Sequence, residues 1–191
     1  MNSGSQPRSW EAHFAARTAA LNASEVRALF AVASRPEVVS LAGGMPFVSA
    51  LPIDLVTGAV ERTLRARGDA ALQYGSGQGI PALREQILDV MALEGLQASA
   101  DDVVVTTGSQ HALELLAKLF LDPGDVVLAE GPSYVTALVV FRSFQAEVEH
   151  VPMDEFGLIP SAPSQHIAAL TAAGRQPKFL YTVPTFNNPA G

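Results

Sequence analysis

Cysteine is absent from the 191 residues, which excludes disulfides, thiolate catalysis and cysteine-ligated zinc. Histidine is scarce. The four present, His13, His111, His150 and His166, never stand four apart, which argues against a helical two-histidine metal site. Basic residues are few: twelve Lys and Arg face nineteen Asp and Glu, a net charge of −7. That balance argues against a nucleic-acid partner, whose phosphates need a basic face. Long apolar runs are missing too, and none approaches the roughly 18 residues of a membrane span. The opening MNSGSQPRSWEAHF has no apolar signal core. The expectation is a soluble, cytoplasmic protein with no membrane or nucleic-acid partner.

Hydrophobic residues make up 48% and charged residues 16% of the chain, a globular composition. Residues 24–33 have a helical apolar face (Val26, Leu29, Phe30, Val32) that Ser24 could cap, and Arg35-Pro36 breaks it. The Gly- and Pro-rich stretch 38–52 reads as an ordered loop or brief strand. Helical spacing returns over 54–67 through Leu55, Val56, Ala59, Val60 and Leu64. A glycine loop, QYGSGQGIP (73–81), leads into a helix over 82–95, with Pro81 where a helix can begin.

The second half alternates. Strands are expected at 102–108, 126–131, 147–153 and 178–184, and helices at 109–121, 133–144 and 164–173, with DPGD (122–125) as a turn. This order is the signature of an α/β fold with a mostly parallel sheet and crossover helices. Ligands of such sheets bind beyond the carboxyl ends of the strands.

Three of those ends hold unusual residues. Gly108, Ser109 and Gln110 open a helix whose first N–H groups lack intrahelical partners, so the site suits a phosphate; a plain serine cap explains it equally well. Tyr134, in EGPSY, could stack on a flat ligand or serve as a rim aromatic. Asn188 precedes Pro189, which favours an extended backbone, and its amide offers two donors and an acceptor; a simple Asn-Pro turn is the plainer reading. The glycine loop around Tyr74 follows no strand, so a dinucleotide fingerprint is rejected there. It reads as a loop needing positive φ values.

Taken together, SLAGGMP (40–46), LQYGSGQGIPALRE (72–85), VVVTTGSQHALEL (103–115), DPGDVVLAEGPSY (122–134) and VPTFNNPAG (183–191) resemble the N-terminal half of a fold-type I pyridoxal phosphate (PLP) aminotransferase. The likeness is to the class I/II group that includes 2-aminoadipate and kynurenine aminotransferases. It implies an N-terminal arm and helix over 1–44 and the first part of the PLP-binding large domain over 45–191. It implies pyridoxal 5'-phosphate as cofactor, with amino acid and 2-oxo acid substrates. It gives the phosphate to Ser109, Gln110 and the Gly108 loop, ring stacking to Tyr134, and the bond to the phenolic O3′ to Asn188. It places Gly44 in the substrate pocket, with Asn188 beside the substrate. Tyr74 is to reach the phosphate of the neighbouring subunit in a homodimer. Asn187 departs from the Gln often found at that place, which bears on substrate preference.

A Schiff-base lysine is the missing piece. The only lysines are Lys118, inside a helix, and Lys178, at the start of a strand and so at the wrong end of the sheet. No catalytic residue is therefore assigned. The resemblance puts the lysine, the acid facing the pyridinium and the carboxylate-binding arginine after residue 191. The 191 residues alone are expected to be an inactive fragment with an exposed strand edge. A MocR-type regulator body is the nearest alternative, but only about 40 residues precede LAGG, too few for its DNA-binding domain. A truncated pseudoenzyme or binding module and a Rossmann-like nucleotide binder are the others.

Overall fold

The computed structural model describes residues 10–20, 32, 35, 37–39 and 47–191. Gly44 and the helix expected over 24–33, Val32 apart, lie outside the described residues. The chain divides into two compact units, Glu25–Thr106 and Met1–Ser24 with Thr107–Gly191.

In the first unit, α1 (Ile53–Ala71) runs four residues past its expected end, with non-helical φ/ψ at Arg67. Its apolar face exists as the spacing requires, yet Leu55, Val56, Val60 and Leu64 are all exposed. The second helix, α2 (Pro81–Leu93), starts on Pro81, where a missing N–H costs nothing. Its Arg84 is buried, and its Nη1 donates to the Ala100 carbonyl at 2.6 Å and to Gln78 Oε1 at 3.4 Å. One arginine thereby ties the end of the glycine loop to the 3₁₀ turn Ala100–Asp102. Within the loop only Gly79 has a positive φ, +102°. Residues 103–106 do not form a strand. Their run of valines and threonine has the right propensity, but propensity cannot supply a partner. No strand runs beside them among the described residues, and Val105 N–H instead donates to the Gln78 carbonyl at 2.8 Å.

The second unit holds the sheet. It contains α3 (Gly108–Phe120), β1 (Val126–Gly131), α4 (Val135–Ser143), β2 (Glu147–Asp154), β3 (Gly157–Leu158), α5 (Ala162–Ala172) and β4 (Pro177–Tyr181). The strand order is β3-β2-β1-β4. β1 pairs in parallel with β2 and with β4, while β2 and β3 form a small antiparallel hairpin. That hairpin was not expected. Asp154 accepts the Phe156 N–H at 2.8 Å, and Gly157 (φ +113°) completes the turn.

β1 is buried on both faces, and its side chains alternate between two cores. Val127 meets Ala117 of α3, Leu121 just after it, and Ala137, Val140 and Phe141 of α4. Val126 and Leu128 meet Val151, Ala162 and Leu170 on the other face. The continuous apolar run at 126–129 is thus covered by helices on each side.

At the amino end of the sheet, Asp125 accepts the Asp122 backbone N–H at 2.7 Å and lies 3.2 Å from Lys178 Nζ. The N–H of Asp122 above all, with Lys178 adding to it, holds the Asp125 carboxyl below its ordinary 3.8. A lowered carboxyl contributes stability above its ordinary pKa and loses it as pH falls through the lowered one. Asp125→Asn is therefore expected to flatten the loss of stability below pH 3.8, read by urea unfolding across an acid pH series.

Candidate functional site

The turn at 122–125 sends the chain straight from α3 into β1, so the start of α3 lies at the carboxyl end of the sheet. β1 and β4 run in parallel, so the loops after them open at that same end. One end of one sheet therefore carries the Gly108–Ser109–Gln110 turn, the Tyr134 turn and the loop 182–191. The sequence named all three separately, and the topology brings them to one side.

Each is built differently. Thr107 is the N-cap of α3, but its side chain makes no cap bond. His111 does the capping instead, its Nδ1 accepting the Thr107 N–H at 3.1 Å. Gly108 has φ +76°, which admits glycine, and no heavy atom stands within 4 Å of where a Cβ would be. Ser109 is exposed on the first turn and is not the cap residue. Gln110 Nε2 donates to Glu114 Oε1 at 3.2 Å, which lays that side chain along the helix.

Tyr134 is the N-cap residue of α4 and packs half-buried against the α3–α4 core. Tyr181, at the end of β4, is its neighbour. Burial chiefly, then the nearby Tyr134 and Glu130, raise the Tyr181 phenol above its ordinary 10.0.

Glu130 escaped the sequence reading. It is 2% exposed, yet it carries a carboxylate. It accepts a hydrogen bond from the Thr182 hydroxyl, one from Val183 N–H at 2.9 Å and one from Asn187 Nδ2 at 2.7 Å. Asn187 is itself buried, and its Oδ1 accepts the Ala190 N–H at 3.2 Å. Its side chain therefore faces the protein interior, whereas the sequence had linked the residue to substrate preference. Asn188 is exposed beside it, and its peptide bond to Pro189 is cis. The only sequence cue to Glu130 is a carboxylate closing an otherwise apolar strand.

Tyr74 is fully exposed on the glycine loop of the first unit. Lys118 is exposed near the carboxyl end of α3, and Lys178 sits with Asp125 at the opposite end of the sheet from these loops. A groove of about 320 Å³ runs beside β4, lined by Leu113, Leu116, Phe120, Phe141 and residues 178–181. None of the candidate cofactor-binding residues (Tyr74, Gly108, Ser109, Gln110, Tyr134, Asn188) lines it. Among the described residues no cluster of His, Asp and Glu could hold a metal, and no helix is long and apolar enough to cross a membrane.

The helix opening suits a phosphate: a left-handed glycine with no heavy atom within 4 Å of its Cβ position begins a thirteen-residue helix. Comparison with known proteins shows the family. The description of aminotransferase class I and II matches residues 37–191. A 2-aminoadipate transaminase of Thermus thermophilus is 36% identical over 186 residues, which are 97% of this chain and 44% of that protein. An aromatic-amino-acid aminotransferase of Thermococcus litoralis is 33% identical over 95% of this chain and 44% of its own length. Among solved structures, a kynurenine aminotransferase of Pyrococcus horikoshii in complex with PMP superposes with a TM-score of 0.87 at 34% identity. That alignment covers 95% of this chain and 45% of the other. The chain thus spans under half the length of the relatives it matches. The α/β architecture and the family expected from the sequence both hold, and the chain belongs to the class I and II aminotransferases.

Proposed function

We propose that the protein carrying these residues is a PLP-dependent aminotransferase that moves an amino group from an amino acid to a 2-oxo acid. The observation that carries this reading is the gathering of three loops at one sheet end in a chain of this family. PLP, when bound, supplies the electron sink for the reaction. Gly108, Ser109 and Gln110 bind its phosphate at the start of α3, where the helix end favours an anion. Tyr134 stacks on the ring, and its seat against the α3–α4 core supports that placement. Asn188 donates to the phenolic oxygen and fixes the ring's plane.

Gly44 lines the substrate pocket. Tyr74, fully exposed, reaches the phosphate of the second subunit in a homodimer. The N-terminal arm and helix over 1–44 precede the cofactor-binding part at 45–191. The group that bonds covalently to the cofactor is in neither Lys118 nor Lys178, because neither stands at the loop end of the sheet.

The test is expression of the whole coding frame that contains this chain, followed by PLP titration and an amino-transfer assay over a panel of amino acids. The expected result is a visible PLP band and transfer from at least one donor. Ser109→Ala and Asn188→Ala are each expected to weaken PLP retention by roughly tenfold, the order of one hydrogen bond to a charged group. A protein that takes up no PLP and transfers no amino group overturns the proposal.

A further inference from the structure

We infer that Glu130 is a positioning residue: it holds Asn187, and through it the turn that presents Asn188 to the cofactor. The inference rests on the PLP reading above.

A buried carboxylate is costly unless its oxygens are satisfied. Glu130 is satisfied, and by one segment: the Thr182 hydroxyl, Val183 N–H and Asn187 Nδ2 all come from the stretch that follows β4. A residue of the central strand thus spends its acceptors on the exit loop of the strand beside it. Simple packing would not call for this. Positions 126–129 of the same strand are apolar and fully buried, and a further apolar residue would fill the space without the cost of desolvation.

The loop answers Glu130 through one residue. Asn187 gives its amide N–H₂ to Glu130 and takes the Ala190 N–H on its Oδ1. Its backbone closes the turn in both directions, Asn187 N–H to Gly191 O at 3.2 Å and Gly191 N–H to Asn187 O at 2.7 Å. Asn188 is therefore enclosed in a ring of hydrogen bonds whose anchor on the sheet is Glu130. The turn is also held against a local preference. Phe186, directly before Asn187, has φ +52°, a region that a bulky residue avoids. Released from Glu130, the segment would relax away from this arrangement.

The conservative variant separates position from charge. In Glu130→Gln the amide oxygen still accepts from Val183 and Asn187, while the Thr182 hydroxyl rotates to accept from the new N–H₂. Glu130→Ala removes every acceptor.

The experiment uses protein from the whole coding frame, with PLP-free apoprotein for one readout and the PLP-loaded form for the other. Hydrogen–deuterium exchange of peptides covering 182–191 in the apoprotein is expected to rise roughly tenfold or more in Glu130→Ala and to stay near wild type in Glu130→Gln. In the loaded protein the visible PLP band of Glu130→Ala is expected to move in the same direction as that of Asn188→Ala. The double variant is expected to add nothing further, because both act through one contact. A merely structural role would lower the melting temperature and leave the band unmoved.

If Glu130→Ala fails to fold, Asn187→Ala cuts the same link from the loop side and carries the same expectations. A wild type that takes up no PLP overturns the cofactor reading itself. A wild type that binds PLP, with the band of Glu130→Ala or Asn187→Ala unchanged or additive to Asn188→Ala, overturns only the role of Glu130.

Discussion

Phe141→Ala is expected to cost about 3–5 kcal/mol of stability, the range for emptying a buried aromatic site. Phe141 is 1% exposed, the largest of the fully buried side chains. It meets Phe179 edge-on at 5.4 Å and Tyr181 at 5.5 Å, which joins α4 to β4. Such pairs contribute about 0.5–1.5 kcal/mol beyond their buried area. Collapse around the gap is limited, since Val127 and Ala117 are already packed against neighbours on a two-sided sheet. The effect should reach the candidate site as well. Tyr181 is the neighbour of Tyr134 and Glu130, so a loosened Tyr181 loosens what lies at the loop end. Urea unfolding followed by far-UV circular dichroism measures the cost. Phe156→Ala is the control: that ring is 91% exposed, and a change within about 0.5 kcal/mol is expected. Equal effects at the two positions would contradict the core described here.

Gly79→Ala is expected to destabilise the Glu25–Thr106 unit by about 2–4 kcal/mol, from two causes that add. The φ of +102° is one that an alanine adopts only under strain. The new Cβ would also fall 2.6 Å from Val105 Cγ2 and 2.8 Å from Val105 Cβ, so one chain must move. Moving it stretches the bond between Val105 N–H and the Gln78 carbonyl and disturbs the Arg84 contact to Gln78. Gly75→Ala, where a Cβ meets nothing within 4 Å, is the matched control and should be close to neutral. Limited proteolysis within 73–79 and the unfolding midpoint are the two readouts. A Gly79→Ala protein as stable and as resistant as Gly75→Ala would show that the loop does not pack on 103–106.

Local signals carried much of this protein. The turn DPGD, the β-branched run at 126–129 and the spacing of apolar residues in 108–120 each act over a few residues, and each element stands where its pattern put it. Pro81 and the glycines at 108 and 124 mark element ends for the same reason: their backbone preferences are properties of single residues. The family, too, was readable from short motifs in order.

Pairing was not readable in this way. Residues 103–106 have every local mark of a strand, yet strandness needs a hydrogen-bonded neighbour that no local pattern contains. The apolar face of α1 likewise says that it wants cover, not what covers it. The β2–β3 hairpin was missed because a two-residue strand has too little pattern to detect.

At the candidate site the division is the same. Ser109, Tyr134 and Asn188 could be singled out by residue type and by what precedes them. Glu130 could not, because its importance comes from donors 52 to 57 positions away. Which segments turn, coil and extend is written in the local sequence, since those choices are made within a turn or two of chain. That the exit of one strand is fastened to the buried carboxylate of its neighbour follows from tertiary contact alone, because a hydrogen bond between distant residues exists only once the sheet has brought them together.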